Sequence, residues 1–213
     1  MATIRLHTDD RNNILNAMDV PVCPYCNMNY TIKYGEERNA ADIDHFYIKS
    51  RYPQYALCLY NFVPACPVCN SKLKGKKDTT RQTHVFPHEE SYGKEAKFEI
   101  LNLIELSSGK SEKAELKLIN HGNNPKIDNS VETFKINELY DFHSSYAKDL
   151  LDKVWIYNDS YMEELKRFIS EKSEDTKDIK ELIFGRDEPE EIYARKSLGK
   201  LRMDLLRQLG VYE

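Results

Sequence analysis

The chain has 213 residues, 40% of them hydrophobic and 31% charged, which suits a folded soluble protein and is too apolar for a disordered one. No apolar run approaches the roughly 18 residues of a membrane span, and MATIRLHTDD carries acids where a signal peptide would carry a hydrophobic core, so a cytoplasmic protein is expected. The net charge of -4 argues against a free-standing, tight nucleic-acid binder, but it divides unevenly: residues 1–88 sum to +3 and residues 89–213 to -7.

The length allows one large core or two small ones, and two unequal parts are expected, 1–88 and 89–213. In chain order, Thr8, Asp9 and Asp10 suit the start of a short helix with Ile14, Leu15 and Met18 on one face, stopped by Asp19 and Pro21. Val22 to Gly35 combines a CPYC turn with alternating β-prone residues and reads as a hairpin gripping a metal at its tip. Ile43 to Ile48 and Phe62 to Ala65 are two further β-prone runs, joined by the polar, Pro-bearing segment Lys49 to Tyr55. CNSKLKGKK from Cys69 turns helix-compatible, and the first part ends near His88.

Ala96 to Leu103 and Lys113 to Ile119 read as two strands with a turn at Gly109. Beyond HGNNPK the pattern is helical, through Phe134, Leu139, Phe142, Tyr146, Leu150 and Leu151, then Leu165, Phe168 and Ile169. Near the end Leu198, Leu201, Leu205 and Leu209 form a stripe that fits either a partner's groove or the chain's own core.

Five cysteines are an odd number, and four of them form two CxxC pairs, Cys23 with Cys26 and Cys66 with Cys69. Two thiolates from each turn can reach one tetrahedral zinc ion; the rival readings are two unrelated CxxC turns or a redox pair. The 39 residues between the pairs exceed the usual zinc-ribbon spacing, so a folded insert is expected there. Cys58, inside YALCLYNF, reads as a core residue. His84 and His88 bracket a Phe-Pro and read as surface or structural histidines.

The insert carries ADIDHFYIKS and then NFVPACPVCN, giving Asp44 and His45, then Asn61, then Asn70 directly after Cys69. Over about residues 20–88 this resembles the HNH, or ββα-metal, nuclease family, including the cysteine pairs that staple the motif in its zinc-bearing members. The resemblance implies an α+β fold: a zinc-stapled ββα-metal module followed by a small β-hairpin and a helical C-terminal region. It also implies an endonuclease that hydrolyses phosphodiester bonds, of DNA in preference to RNA, with a structural Zn²⁺ and a catalytic Mg²⁺ or Mn²⁺.

On that reading His45 is the general base, since an imidazole is neutral near neutral pH and can take a proton from water. Asp44 and the side-chain carbonyl of Asn70 are the hard oxygen ligands of the divalent ion, and Asn61 holds the loop that aims His45. Lys49, Arg51, Lys72, Lys74, Lys76 and Lys77 are the candidate phosphate contacts. The family often reads CNxxKG, whereas this chain has one more residue before Lys74 and Gly75, which shifts the expected helix end.

A zinc HNH head with an acidic helical tail resembles the nuclease subunits paired with ATPases in bacterial anti-phage systems of the Septu type, also found with some retrons. That resemblance implies an ATPase partner, docked through residues 130–213. Two alternatives stand beside it. One is a stand-alone restriction-type nuclease, which calls for a basic reader domain; the other is a non-catalytic zinc-bound interaction module.

Overall fold

The computed structural model describes residues 7–34, 38–170 and 179–213. The end of the expected first hairpin at Gly35 and the side chain of Ile169 lie outside them. Among the described residues the fold mixes helices with three small two-stranded sheets. The chain divides into two compact units, neither continuous in sequence: residues 1–97, 120–136 and 191–199, and residues 98–119, 137–190 and 200–213. By composition the first unit carries +3 and the second -7.

In the first unit α1 (Thr8–Met18) has Asp9 and Asp10 in its first turn, where the helix dipole favours negative charge. It stops at Asp19, whose backbone is left-handed with φ 47°, and buries Leu15. The chain then makes a tight knuckle. Val22 pairs antiparallel with Tyr30, the Cys23 amide donates to Asn29 at 2.8 Å, and the Asn27 amide donates back to Cys23 at 2.8 Å. Asn27 turns the corner at φ 48°, a conformation asparagine tolerates better than most residues. Beyond it β1 (Lys33–Tyr34) pairs antiparallel with β2 (Arg38–Asn39).

Next comes β3 (Asp42–His45), antiparallel to β4 (Phe62–Ala65), with Asp42 opposite Ala65 and His45 opposite Phe62. The strand expected over Ile43 to Ile48 ends early, at His45, because the Asn61 side chain takes both backbone groups of Tyr47. Its Oδ1 accepts from the Tyr47 amide at 2.7 Å and its Nδ2 donates to the Tyr47 carbonyl at 3.0 Å. After β4 the segment Val68–Lys74 is a π-helix, closed by the Gly75 amide donating to the carbonyl of Asn70, five residues back, at 2.9 Å. The extra residue before Lys74 is thus taken up within the turn, since a π-turn holds one residue more than an α-turn.

The later segments of this unit close around the same centre. In α3 (Pro125–Thr133) the Asn124 side chain caps the N-terminus by accepting from the Lys126 amide, and Pro125 starts the helix where no amide donor is needed. Phe134 stacks on Tyr25 with ring centroids 4.1 Å apart. Asn27 donates to the carbonyl of Ala194 at 2.8 Å, and the Leu198 amide donates to the carbonyl of Asn27 at 2.8 Å.

The second unit is organised on β5 (Ala96–Ile100) and β6 (Leu116–Asn120), which pair with each other, and α2 (Leu103–Ser107) lies between them in sequence. The helical stretch after Phe134 is broken by Lys135, at φ 48°, into α4 (Ile136–Asp141) and α5 (Ser144–Ile156). Then follow α6 (Asp159–Ser170) and α7 (Ile179–Phe184); α8 (Glu190–Tyr193) falls in the last segment of the first unit but for its first residue, and α9 (Gly199–Gln208) belongs to the second from Lys200 onward. Asp204 of α9 accepts from the Phe98 amide at 2.9 Å, and Gln208 bonds both the amide and the carbonyl of Ile100 at 2.9 and 3.0 Å. These side chains satisfy β5 backbone groups as a further strand would.

Leu201 and Leu205, half of the leucine stripe, are wholly buried with Met203 and Leu206, so the stripe serves the chain's own core rather than a partner's groove. Phe142, expected on the helical core face, is 87% exposed instead, because α4 ends one residue before it. Among the described residues no helix is long and apolar enough to cross a membrane.

Candidate metal centre and the strand pair beside it

Cys23 and Cys26 come from the knuckle, and Cys66 and Cys69 from the end of β4 and the start of the π-helix. All four are buried, and their sulfurs lie within 4.8 Å of one another. Four thiolates about 2.3 Å from one zinc ion stand roughly 3.8 Å apart in a tetrahedron, so the cluster is compatible with such an ion. None is joined in a disulfide. Asn29 Nδ2 and the Cys69 amide donate to the Cys66 sulfur at 3.3 and 3.4 Å, the kind of outer contact that orients a ligand thiolate.

Burial raises the Cys23 thiol well above its ordinary pKa, while hydrogen bonds from Cys23, Cys26 and Cys69 hold Cys66 far below its own. Sulfurs this close share protons unless a cation takes their place. The zinc-compatible cluster brings together the knuckle and the residues that directly follow β4, two CxxC pairs with 39 residues between them.

His45, the last residue of β3, has its Nε2 3.0 Å from the carbonyl of Ala56. A carbonyl only accepts, so Nε2 carries the proton and Nδ1 keeps its lone pair. Phe62, its cross-strand partner, meets the ring edge-on at 5.1 Å. Burial lowers the His45 pKa, the bond to Ala56 opposes that, and Lys49 lowers it further, which favours the neutral ring. The loop that carries Ala56 is tied in turn by buried Asn61, whose Nδ2 donates to the carbonyl of Tyr55, the residue before Ala56, at 3.1 Å.

Asp44 is buried, and both of its carboxylate oxygens are engaged. One accepts from the Tyr25 hydroxyl at 2.6 Å and the other from Lys74 Nζ at 2.7 Å. Lys74 Nζ also donates to the carbonyl of His45 at 2.5 Å. Burial raises the Tyr25 pKa well above its ordinary value, reinforced by the Asp44 charge, so the hydroxyl stays a donor. Burial lowers that of Lys74, opposed by Asp44.

Asn70 turns elsewhere: its Nδ2 donates to Asp42 at 3.2 Å, and Asp42 also takes Arg11 at 2.8 Å. Asp44 and Asn70 therefore do not present a ready donor pair for a hard divalent ion. The nearest polar partner of Asn70 is Asp42, two residues from Asp44 on the same strand face. That spacing was in the sequence, in the DID of ADIDH, but Asp42 was not singled out.

Of the six basic residues expected at phosphate, Lys49, Lys72, Lys76 and Lys77 are exposed, and Lys77 Nζ also donates to the carbonyl of Thr133 at 3.2 Å. Arg51 is exposed and paired with Asp78. Lys74 is the exception: only 2% of it is exposed, because the π-turn aims it inward at Asp44, and its ammonium is out of reach of a surface phosphate. His84 is buried between Thr83 and Thr133, and His88 bonds the carbonyl of Phe62 at 2.7 Å, so both have structural partners. Cys58, read as core, is exposed, since it sits in the turn before Leu59–Asn61. Comparison with protein-family models, curated proteins and solved structures finds no match.

Proposed function

We propose that the chain is an HNH-type endonuclease that hydrolyses nucleic-acid phosphodiester bonds, with His45 as the general base. The observation that carries this reading is the aimed imidazole. The carbonyl of Ala56 accepts a hydrogen bond from Nε2, Asn61 holds the carbonyls of Tyr47 and Tyr55 on the same loop, and Nδ1 is left basic for a water molecule. The neutral ring favoured by burial is the form a base requires.

Phosphate cleavage also calls for positive charge at the developing oxyanion, which a bound Mg²⁺ or Mn²⁺ supplies in enzymes of this chemistry. Asp44 and Asn70, as arranged, do not fit such an ion, because Lys74 already neutralises Asp44 and Asn70 faces Asp42. That engagement of Asp44 is the one observation favouring the rival reading, a zinc-bound interaction module without catalysis. DNA is the favoured substrate and RNA the alternative.

As a subunit of an ATPase-paired defence complex, the chain would dock through its second unit. Supporting this are the net charge of -7 there, which repels phosphate, and the exposed apolar side chains Phe142, Trp155 and Phe168.

The deciding experiment is cleavage of plasmid, oligonucleotide and transfer-RNA panels by the zinc-loaded full-length chain, with and without Mg²⁺ or Mn²⁺, against His45→Ala. Loss of cleavage in His45→Ala at unchanged zinc content supports the nuclease. Equal cleavage by both proteins, or none on any substrate with or without host partners, removes it.

A further inference from the structure

The loop that orients His45 carries large apolar side chains that stay open to solvent. Leu57, Leu59 and Tyr60 follow directly on Ala56 and are 54, 59 and 51% exposed. A soluble surface seldom exposes so many large apolar groups in one short run without using them. Tyr60 is also held rigid. Its hydroxyl donates to Glu89 at 2.6 Å, one ring face stacks on His88 at 5.2 Å and 19°, and Phe86 meets it edge-on at 5.4 Å. One face of a fixed ring is therefore covered, and half the residue is left open to solvent. On the same loop Lys49 is exposed and close enough to His45 to lower its pKa, and the exposed Arg51 lies 5.8 Å from the Tyr52 ring centroid.

Rigid aromatic and aliphatic surface interleaved with cations is what unpaired nucleotides need: bases stack on the one and phosphates meet the other. A duplex keeps its bases stacked on each other and offers mainly phosphate to such a loop. We propose that Leu57, Leu59 and Tyr60 form a stacking platform for the unpaired bases of a single-stranded nucleic acid, with Lys49 at its phosphates. This rests on the nuclease reading only for the platform's purpose; the binding itself is separable from cleavage.

The test is fluorescence anisotropy with the zinc-loaded full-length chain in the absence of added Mg²⁺ or Mn²⁺. The probes are a short labelled DNA or RNA strand, the same DNA strand with abasic sites throughout, and the same strand in a duplex. The base-bearing strand should bind about tenfold more tightly than the abasic strand or the duplex. Tyr60→Ala and Leu57→Ala should abolish that preference, Tyr60→Phe should keep it, and Lys49→Ala should weaken all three probes alike, with circular dichroism verifying that each variant is folded. Equal binding of base-bearing and abasic strands, preference for the duplex, or an unchanged preference in folded Tyr60→Ala would overturn the platform. If cleavage is found but the base preference is not, the platform alone is lost. If the preference is found without cleavage, the platform stands and the nuclease reading is lost.

Discussion

The Lys74 ammonium lies 2.7 Å from an Asp44 carboxylate oxygen, and both side chains are buried, 1% and 5% exposed. The pair joins the π-helix to β3 across 30 positions of sequence. It depends on the π-turn: by absorbing one additional residue, Val68–Lys74 directs Lys74 inward, where it meets Asp44 and the carbonyl of His45. A buried ion pair adds little net stability over an apolar pair of the same shape, but breaking one side of it leaves an uncompensated charge.

Lys74→Met should therefore destabilise the protein by roughly 3–5 kcal/mol, the usual cost of stranding a buried charge. Asp44→Asn should cost less than Lys74→Met, because the amide oxygen can still accept from Lys74 or Tyr25. Urea unfolding of the zinc-loaded chain measures both. A surface role for Lys74 predicts instead a loss within ~0.5 kcal/mol.

Much of the first unit was legible because its cues are local. The CxxC pairs mark a four-cysteine cluster from spacing alone, and Phe62 to Ala65 is a strand with the expected bounds. What escaped depends on contacts distant in sequence. Lys74 sits in a run of basic residues and looks like its neighbours until Asp44, 30 positions away, is placed beside it. Cys58 lies in an apolar run and reads as core, but it sits in the turn between Tyr55, which the Asn61 side chain ties, and Leu59–Asn61, and is exposed there. The leucine stripe of α9 has the same periodicity whether its cover is a partner or the chain itself, and only the position of β5 decides.

One zinc per chain should copurify, and Cys23→Ser or Cys66→Ser should lose it, since each removes one of four sulfurs that lie within 4.8 Å of one another. Cys58→Ser should retain it, because that thiol lies on the exposed loop. Elemental analysis of the three variants tests this. Chelation of the metal should also lower the thermal midpoint, as the ion would join the knuckle to the residues after β4. Zinc retained in both Cys23→Ser and Cys66→Ser would place the metal elsewhere.

Stability should fall with acid in the histidine range. Burial lowers the pKa of His84, which bonds Thr83 and Thr133 through its two ring nitrogens. The unfolded chain, with a histidine pKa of about 6.5, takes up the proton first. The unfolded state thus binds more protons between that value and the lower folded one, so stability is full above the unfolded pKa and declines as pH falls towards the folded pKa. His84→Gln should flatten that part of the profile in urea titrations between neutral and mildly acid pH. An unchanged slope would show that folding does not shift the His84 pKa.

Asn61 should prove to be a positioning residue rather than a catalytic one. It is buried, and its amide makes three bonds, two to the backbone of Tyr47 and one to the carbonyl of Tyr55 beside Ala56. Asn61→Ala removes all three and leaves the carbonyls of Tyr47 and Tyr55 without that donor, at a cost of about 1–3 kcal/mol for such buried groups. On the proposed function, cleavage should fall on the order of 10- to 100-fold, through misplacement of the base rather than loss of it. A purely structural role would lower stability alone. The distinguishing measurement is the nitrogen chemical shifts of the His45 ring: in the wild type they should report a neutral ring protonated at Nε2, and in Asn61→Ala a mixture of tautomers, because the loop that sets the carbonyl of Ala56 3.0 Å from Nε2 is no longer tied at Tyr55 and Tyr47. A folded Asn61→Ala variant with the wild-type His45 tautomer and reduced cleavage would show that Asn61 acts by some route other than the loop.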